Sequence, residues 1–350
     1  MIKKIILEKR RLHFHGTFKI AYEEVSYDDI IFIKLVSSTG QISFASASCD
    51  SSVNYQTADE LLAFLKRKLT PTFFKWPLGQ LYLYHLEIQK VFKDWPMAQA
   101  GAEIALLNLW AKQNNLSLWE YFGGFRKECP LAITLSIKEI NLTIADVKKR
   151  IKEGYQIIKL KGGLSLSEDL AKIKAINRML PKSIKLLFDA NQGYTFAEAK
   201  EFFKKIKGAR LEFIEQPVKS KDWVSLKRLN SLSAVPVIAD EAAVTLADCQ
   251  KLLLGNYVAG VNVKLMKCGG PINFLKIYHL AKALNKTIII GCMYESLASL
   301  SLGGQLALGL PVDYVDLDSG PIDFFDDPAK GGIIFNKGSL SLGGPLKLKL

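Results

Sequence analysis

The sequence predicts an N-terminal α+β domain followed by an α/β domain, a (β/α)7β-type modified TIM barrel. Three observations support this. Eight short apolar runs begin 24 to 29 residues apart from residue 131 onward, which is the period of a β/α unit. Seven helical stretches separate these runs, whereas the preceding 125 residues contain strands followed by helices. We therefore expect one domain at 1–125 and a barrel at 126–324, with a tail from about 325 to 350 that returns to the first domain.

The first domain is predicted to contain three strands and then three amphipathic helices. A turn around Thr39 and Gly40 joins the second strand to the third. The last helix is long, and its apolar residues recur at helical spacing. The predicted strands are 2–10, 30–37 and 41–47, and the predicted helices are 57–68, 80–92 and 97–115.

The barrel strands are near-continuous apolar runs that end abruptly in polar residues, as expected for parallel strands that are covered on both faces. The predicted strands are 131–137, 155–161, 184–189, 211–215, 235–240, 260–264, 287–292 and 312–316. The helices predicted between them are 143–153, 167–180, 195–207, 222–231, 244–254, 271–284 and 297–308.

The formal net charge of +13 does not by itself indicate a nucleic-acid-binding protein. Lysines are spread along the presumed outer helices, as in KKRIKEG and FFKKIKG, rather than gathered in a patch interleaved with aromatic residues. We expect a solvated basic surface and no nucleic-acid partner.

Cysteine usage and the apolar runs favour a cytoplasmic protein with no membrane partner. The five cysteines are odd in number, scattered and without a C-x-x-C pair, so neither disulfides nor a zinc site is expected. The start MIKKIILEKRR is too short and too charged for a signal peptide. The longest apolar stretch, 297–310, is too short to span a bilayer.

Three carboxylates end consecutive predicted barrel strands. Asp189, Glu215 and Asp240 lie 26 and 25 residues apart. Because the carboxyl ends of barrel strands converge at one mouth, these side chains could offer three hard oxygen ligands to one Mg²⁺ ion. Asn191 and Glu241 lie beside them as candidate supporting partners. A single such aspartate is more often a helix N-cap, and the acids could instead pair with nearby lysines, but three in register favour a metal.

Lysines flank these carboxylates along the chain. Lys159 and Lys161 alternate with Leu160, so both should face the barrel interior. Lys264 ends the sixth strand, opposite the second in a ring of eight. Crowding of ammonium groups beside a metal is expected to lower the pKa of these lysines toward that of a general base. A substrate carbon between Lys161 and Lys264 could lose a proton to one lysine and receive one from the other.

Short motifs recur at the predicted strand ends, namely K-x-K at 159–161, D-x-N at 189–191, E-Q-P at 215–217, D-E at 240–241 and V-K-L-M-K-x-G-G at 263–270. Together they resemble the muconate-lactonizing subgroup of the enolase superfamily, and the resemblance covers essentially the whole chain. The segment VDLDSGP at 315–321 is similar to the signature of the dipeptide epimerases within it, the L-Ala-D/L-Glu epimerase family. The helical segment 102–124 resembles part of that family's capping domain.

The resemblance implies a role for each matching position. The three carboxylates would bind Mg²⁺, which would hold the substrate carboxylate and stabilise the enediolate formed when the α-proton leaves. Lys161 and Lys264 would be the two bases, with Lys159 assisting beside the carboxylate. Asp316 and Asp318, on one face of the eighth strand, would bind the free α-ammonium of a dipeptide.

Substrate choice in this family depends partly on a flexible capping-domain loop, here near residues 13–24. Family members that select glutamate often carry an arginine in this loop, and this chain offers Lys19 as the candidate contact. His13 and His15 have metal-ligand spacing but no evident third partner, so a second metal is not expected.

Two barrel residues also match positions near the substrate in the family. Thr134, at the end of the first barrel strand, matches a position that contacts substrate. Glu295, after the seventh strand, could favour a cationic substrate group or could pair with Lys264.

The expected function is that of a Mg²⁺-dependent dipeptide epimerase, an isomerase that inverts the α-carbon of the C-terminal residue, with L-Ala-D/L-Glu as the expected substrate. The alternative is an o-succinylbenzoate synthase or N-succinylamino acid racemase. These share the metal and lysine set, but their substrates have no ammonium for Asp316 and Asp318 to bind. A retired enzyme kept as a binding protein would not be expected to retain all of these groups. The family often forms homo-oligomers, so a homo-oligomer is possible here.

Overall fold

The N-terminal residues form an antiparallel three-stranded sheet. In the computed structural model, which describes residues 2–50 and 56–349, the strands are β1 (Ile2–Lys19), β2 (Glu24–Ser37) and β3 (Ile42–Ala47), hydrogen-bonded in that order. The pairing of β1 with β2 extends from Ile2 and Ser37 at one end to Lys19 and Glu24 at the other. The two strands are therefore much longer than predicted, and most of the predicted loop at 13–24 is a β-hairpin.

Helices cover this sheet and connect it to the barrel. The long helix Pro96–Gln113 is buried along almost its whole length and packs on β2 and β3. The hydroxyl of Ser43 on β3 donates a hydrogen bond of 2.8 Å to the carbonyl of Ala105 in this helix. A short 3-10 turn spans Pro71–Phe73. The helices are α1 (Ala58–Lys68), α2 (Leu81–Val91), α3 (Pro96–Gln113) and α4 (Leu118–Tyr121).

Eight parallel strands then form a nearly closed barrel, as predicted. They are hydrogen-bonded in sequence order from the first to the last. Between the first and the last strand, the backbone amide of Thr134 donates to a carboxylate oxygen of Asp318 at 2.5 Å. The strands are β5 (Ala132–Leu135), β6 (Ile157–Lys161), β7 (Lys185–Asp189), β8 (Ile214–Glu215), β9 (Val237–Ala239), β10 (Gly260–Lys264), β11 (Thr287–Gly291) and β12 (Tyr314–Asp316).

Helices alternate with the barrel strands. Two of them begin at a threonine whose hydroxyl accepts from the backbone of the acid three residues later and whose backbone amide donates to that acid, namely Thr195 with Glu198 and Thr245 with Asp248. The short helix Leu265–Cys268 was not predicted. The helices are α5 (Ile140–Lys152), α6 (Leu166–Met179), α7 (Phe196–Lys205), α8 (Trp223–Leu232), α9 (Leu246–Leu254), α10 (Leu265–Cys268), α11 (Pro271–Ala283) and α12 (Leu297–Gly309).

The fourth and fifth barrel strands are shorter than predicted. Regular pairing of β8 with β9 covers only Ile214 with Val237 and Glu215 with Ile238. Pro236 has no amide hydrogen to donate to a ladder, although its carbonyl accepts from Ile214. These short strands still position two carboxylates, because Glu215 ends β8 and Asp240 directly follows β9.

The C-terminal tail forms strands and turns, as predicted. It adds β14 (Ile333–Asn336) and β15 (Ser339–Leu342) to the short strand β4 (Glu128–Pro130), and pairs β13 (Ala329–Lys330) with β16 (Lys347–Leu348). Its main sheet is thus shared with β4 rather than with β1–β3, although Arg10 of β1 donates to the carbonyl of Lys349. The division into domains at residues 1–125 and 126–324 stays a prediction.

Two expectations from composition can be compared with the described residues. None of the helices in residues 2–50 and 56–349 combines the length and apolar character needed to cross a bilayer. The apolar run at 297–310 is helix α12, which is buried in the protein. All five cysteines are free thiols.

The loop after β6 depends on a glycine. Gly163 has a φ of +96°, and a Cβ atom there would lie 2.1 Å from the carbonyl oxygen of Ala190. Gly208 also has a positive φ, +88°, but a Cβ atom there would meet nothing within 4 Å. An alanine at Gly208 would therefore introduce backbone strain alone, whereas an alanine at Gly163 would introduce both backbone strain and a steric clash.

We expect Gly163→Ala to destabilise the protein more than Gly208→Ala. Both variants place alanine in a left-handed conformation, which costs about 1–2 kcal/mol, and Gly163→Ala adds an overpacking cost of about 1–3 kcal/mol. Urea unfolding of both variants and the wild type measures the difference. Equal losses would mean that the loop relaxes away from Ala190.

Candidate metal and proton-transfer site

Three buried carboxylates meet at the mouth of the barrel. Asp189 and Glu215 end β7 and β8 and are paired in register, and Asp240 directly follows β9. Each residue is at most 1% exposed, and one oxygen from each lies within 4.8 Å of the others. Within residues 2–50 and 56–349, this is the group of acids, histidines and cysteines that is arranged to hold a metal. Three converging hard oxygens fit Mg²⁺.

Lys159 lies at the centre of this carboxylate cluster. Its ammonium is 2.9 Å from Glu215, 3.2 Å from Asp189 and 2.7 Å from Asp316, and the side chain is almost completely buried. Burial lowers the pKa of Lys159, but the charges of Asp316 and Glu215 outweigh this effect and raise it well above its usual value. Lys159 is therefore held as an ammonium ion.

Lys161 and Lys264 flank the cluster on opposite sides. They end the second and sixth barrel strands, as predicted, and both line the cavity. The ammonium of Lys161 is 2.7 Å from Asp189, and that of Lys264 is 2.9 Å from Asp240. A substrate above the carboxylates would have one lysine on each side.

The expected lowering of the lysine pKa values beside a metal stays a prediction. Without a metal, burial lowers the pKa of Lys264, but the charge of Asp240 raises it well above the usual value. The reason is that a carboxylate oxygen of Asp240 lies 2.9 Å from the Lys264 ammonium. A divalent cation held by Asp240 would offset the charge that keeps this proton on Lys264.

The carboxylates respond differently to the shared positive charge. Burial raises the pKa of Glu215 well above its usual range, and Lys159 offsets this only in part. For Asp189 and Asp240, burial acts in the same direction, but the neighbouring lysines lower the pKa of each below its usual value. The aspartates are therefore the firmly ionised members of the set.

Asn191 and Glu241 lie together beside the carboxylates. The amide of Asn191 donates to Glu241 at 3.1 Å, and its backbone amide donates to Asp189 at 2.9 Å. Burial and the charge of Asp240 raise the pKa of Glu241 to about 7. This contact supports their prediction as partners of the metal ligands.

Asp316, which ends β12, and Asp318, two residues after the strand, both line the cavity. We call these two residues the β12 acids. Asp316 accepts from Lys159 through one oxygen, and its other oxygen is buried without a hydrogen-bond partner among the described residues. Asp318 accepts from the backbone of Thr134, which also lines the cavity. The pair thus offers acceptor atoms toward the same space that the lysines face.

Two buried residues of the site were not singled out from the sequence. Asn262 donates to Glu215 at 2.9 Å and to Asp316 at 3.2 Å, so it joins the carboxylate cluster to the β12 acids. Lys267, in α10, contacts a carboxylate oxygen of Asp240 and donates to the carbonyl of Asp240 at 2.6 Å. The signals were present: Asn262 interrupts an apolar strand two residues before Lys264, and Lys267 lies in an otherwise apolar segment.

The β1–β2 hairpin forms one wall of the cavity. Phe18, Ile20, Tyr22 and Glu23 line it, whereas Lys19 does not. Because side chains alternate along a strand, Lys19 points away. Its side chain is 46% exposed and lies 3.6 Å from Glu24.

Contacts with three barrel loops, those after β5, β11 and β12, hold this hairpin in place. The ring of Tyr294, after β11, packs against Phe14 and Phe18 with centroid separations of 5.0 and 5.9 Å. The backbone of His15 donates to Asp323, and that of Ile137 donates to Lys19. The segment predicted as a flexible loop is therefore a docked hairpin.

Glu295 lies beneath the cavity rather than among the residues that line it. It is 2% exposed, and its carboxylate accepts from the backbone of Met293 at 3.1 Å. Burial raises its pKa to about 7. The Glu295 carboxylate therefore serves the loop after β11, and no ion pair with Lys264 is formed.

His13 and His15 do not form a metal site with the residues that the structure describes. His13 pairs with Asp326 at 2.7 Å, and His15 lies 3.3 Å from the carbonyl of Pro321. Both histidines also contact the ring of Phe325. They help to dock the hairpin on the segment that follows β12.

A parallel barrel whose mouth holds three converging carboxylates between lysines defines a metal-dependent barrel enzyme. A family model described as enolase C-terminal domain-like matches residues 143–343. An L-Lys-D/L-Arg epimerase from Desulforapulum autotrophicum is 32% identical over 339 residues, which cover 96% of this chain and 95% of that one. The chain belongs to the enolase superfamily, and it is an isomerase, as predicted.

Solved structures of dipeptide epimerases have the same architecture. The substrate-liganded L-Ala-D/L-Glu epimerase from Bacillus subtilis matches with a TM-score of 0.94 and 26% identity, covering 99% of this chain and 97% of that one. A dipeptide epimerase from Enterococcus faecalis, complexed with Mg and L-Leu-L-Tyr, matches with a TM-score of 0.92 and 26% identity, covering 98% and 97%. Together with the acidic triad, this confirms the predicted Mg²⁺ cofactor.

Removal of one candidate ligand should separate metal binding from folding. We expect Glu215→Gln to weaken Mg²⁺ binding by more than about 100-fold, because loss of a direct ligand should exceed the 10–100-fold effect of a supporting residue. Calorimetry measures the affinity. The rise in Tm that Mg²⁺ gives the wild type should be lost in the variant.

Glu212→Gln is the matched control for this experiment. Glu212 precedes the same strand but lies away from the metal ligands, where it accepts from Tyr314. Its replacement should leave Mg²⁺ affinity unchanged. Wild-type Mg²⁺ affinity in Glu215→Gln would contradict the assigned ligand set.

Proposed function

We propose that this protein is a Mg²⁺-dependent dipeptide epimerase that inverts the α-carbon of the C-terminal residue by moving a proton between two lysines. The observation that carries the proposal is the position of Lys161 and Lys264 on opposite sides of one carboxylate cluster in one cavity. A single base on one face could exchange a proton but could not invert the carbon. Two bases on opposite faces can do so.

Each lysine exchanges a proton with one face of the substrate α-carbon. One lysine, as a neutral amine, takes the α-proton from its face of the substrate, and the other, as an ammonium ion, gives a proton to the opposite face. A bound Mg²⁺ would supply electrophilic stabilisation of the substrate carboxylate as negative charge develops on it. Asp189, Glu215 and Asp240 would hold the metal, and Lys159 would place a fixed positive charge beside the same carboxylate.

The acids of β12 favour a dipeptide over an N-acylated amino acid. Asp316 has a buried oxygen with no hydrogen-bond partner in the described part of the chain, and Asp318 accepts a hydrogen bond from the backbone of Thr134. A free α-ammonium would satisfy these acceptors, whereas the succinyl group of the alternative substrates would bring negative charge to them. An N-succinyl-L-Arg/Lys racemase from Bacillus cereus is also a relative, at 26% identity, so the alternative is tested directly.

The side chains of the dipeptide are not fixed by the family. Relatives are named for epimerisation of L-Ala-D/L-Glu, of L-Lys-D/L-Arg and of hydrophobic dipeptides. L-Ala-D/L-Glu, the substrate expected from the resemblance, is one candidate among these classes. A cytoplasmic location and a homo-oligomeric state are also part of the proposal.

Exchange of the α-proton tests the reaction. With Mg²⁺ in D₂O, we expect deuterium to enter the α-position of the C-terminal residue of L,L-dipeptides, and EDTA to stop it. Mass spectrometry of a dipeptide set and of matched N-succinyl amino acids measures the exchange. Exchange confined to the succinyl compounds would support the alternative function instead.

Replacement of one base should uncouple exchange from inversion. We expect Lys264→Ala to abolish epimerisation while retaining exchange of the stereoisomer whose α-proton faces Lys161. Chiral chromatography and mass spectrometry of the same samples report the two processes. Lys276→Ala, on the outer helix α11, is the control and should retain both. Wild-type epimerisation by Lys264→Ala would overturn the two-base assignment.

A further inference from the structure

The cavity wall above the two lysine bases is acidic. Glu23, in the turn of the β1–β2 hairpin, and Asp50, after β3, both line the cavity. Neither belongs to the metal ligands or to the β12 acids. Among the described residues that line the cavity, the only cations are the three lysines of its floor.

Those three lysines are already committed to carboxylates. Lys159, Lys161 and Lys264 each lie within 3.2 Å of at least one acid of the floor. An anionic substrate side chain at the wall would therefore meet Glu23 and Asp50. A cationic side chain would meet two acceptors of opposite charge.

Glu23 lines the same cavity as the two proposed bases. Lys161, Lys264 and Tyr294 are also among the residues that line it. Under the proposed function, the α-carbon of the C-terminal residue lies between these two lysines. The side chain on that carbon is therefore the part of the substrate that passes Glu23.

A third carboxyl group, that of Asp28, is buried near this wall. Asp28, on β2, interacts electrostatically with Glu23 and Asp50, and one of its oxygens is buried without a hydrogen-bond partner among the described residues. Burial raises the pKa of Asp28 to about 8. Burial likewise raises the pKa of Glu23, and Asp50 raises it further. A nearby cation would stabilise the ionised form of each acid.

We propose that Glu23 and Asp50 form a subsite for a cationic side chain, that of lysine or arginine, on the C-terminal residue of the dipeptide. The inference rests on the proposed function, because that function places the α-carbon between the lysines. The contacts of Tyr294 with Phe14 and Phe18 hold the hairpin whose turn carries Glu23. The subsite is thus built on a docked element.

A substrate comparison with the wild-type enzyme tests the subsite first. We expect kcat/KM to be at least about tenfold higher for L-Ala-L-Lys than for L-Ala-L-Met, and higher for L-Ala-L-Met than for L-Ala-L-Glu, since hydrogen bonds to charged groups are stronger than those between neutral groups. L-Ala-L-Met is the neutral control of similar length. The advantage of the lysine dipeptide should shrink as salt is added.

The variant Glu23→Gln tests the residue. We expect the ratio of kcat/KM for L-Ala-L-Lys to that for L-Ala-L-Met to fall roughly 10- to 100-fold. Glu24→Gln is the matched control, because Glu24 is the next residue, is exposed and pairs with Lys19 outside the cavity. That control should keep the wild-type ratio. Mg²⁺ affinity, measured by calorimetry, shows whether the floor of the site is intact in each variant.

The possible outcomes distinguish this inference from the function on which it rests. Exchange of L-Ala-L-Glu at least as fast as that of L-Ala-L-Lys would overturn the cationic subsite and leave the epimerase function standing. An unchanged Lys-to-Met ratio in Glu23→Gln would overturn the role of Glu23. No exchange with any dipeptide would contradict the proposed function itself.

Discussion

The site depends on three carboxylates that are buried at one point. Removing a carboxylate from water costs several kcal/mol unless opposite charge compensates it, and Asp189, Glu215 and Asp240 are at most 1% exposed. Four lysines meet this demand from the second strand, the sixth strand and helix α10. The same demand makes the cluster a good place for a divalent cation, which would supply two positive charges without a long side chain. Burial of the three carboxylates therefore explains both the lysines that surround them and their suitability for binding a divalent cation.

The reacting groups and the residues proposed to select the substrate lie on different parts of the chain. Every proposed base and metal ligand is at or just after the end of a barrel strand, where hydrogen bonds to the adjacent strands of the eight-stranded sheet fix the backbone. The wall above them comes from a hairpin more than 100 residues earlier, which packs on Tyr294 and on the segment after β12. Changes in the hairpin can therefore alter side-chain selection while the proton-transfer groups stay in place.

Sequence reasoning predicted the residues that repeat with the β/α period and missed those that depend on tertiary contacts. One polar residue per strand end identified the carboxylates and lysines. Lys267 and Asn262 were missed because their importance depends on which buried oxygens they reach. The hairpin was mistaken for a loop because its outer half is stabilised by pairing with residues near 324, a contact that no local pattern reports. Once that strand is known, alternation alone turns Lys19 outward.

Charge balance links the metal, the substrate class and the acidic wall. The floor and the β12 side bring together Lys159, Lys161, Lys264 and Lys267 with six acids, namely Asp189, Glu215, Asp240, Glu241, Asp316 and Asp318. A divalent cation held by Asp189, Glu215 and Asp240 would favour the ionised form of Glu215, whose pKa burial raises. The backbone of a dipeptide adds one carboxylate and one ammonium, so it adds no net charge. A cationic side chain would bring positive charge to the wall that carries Glu23 and Asp50.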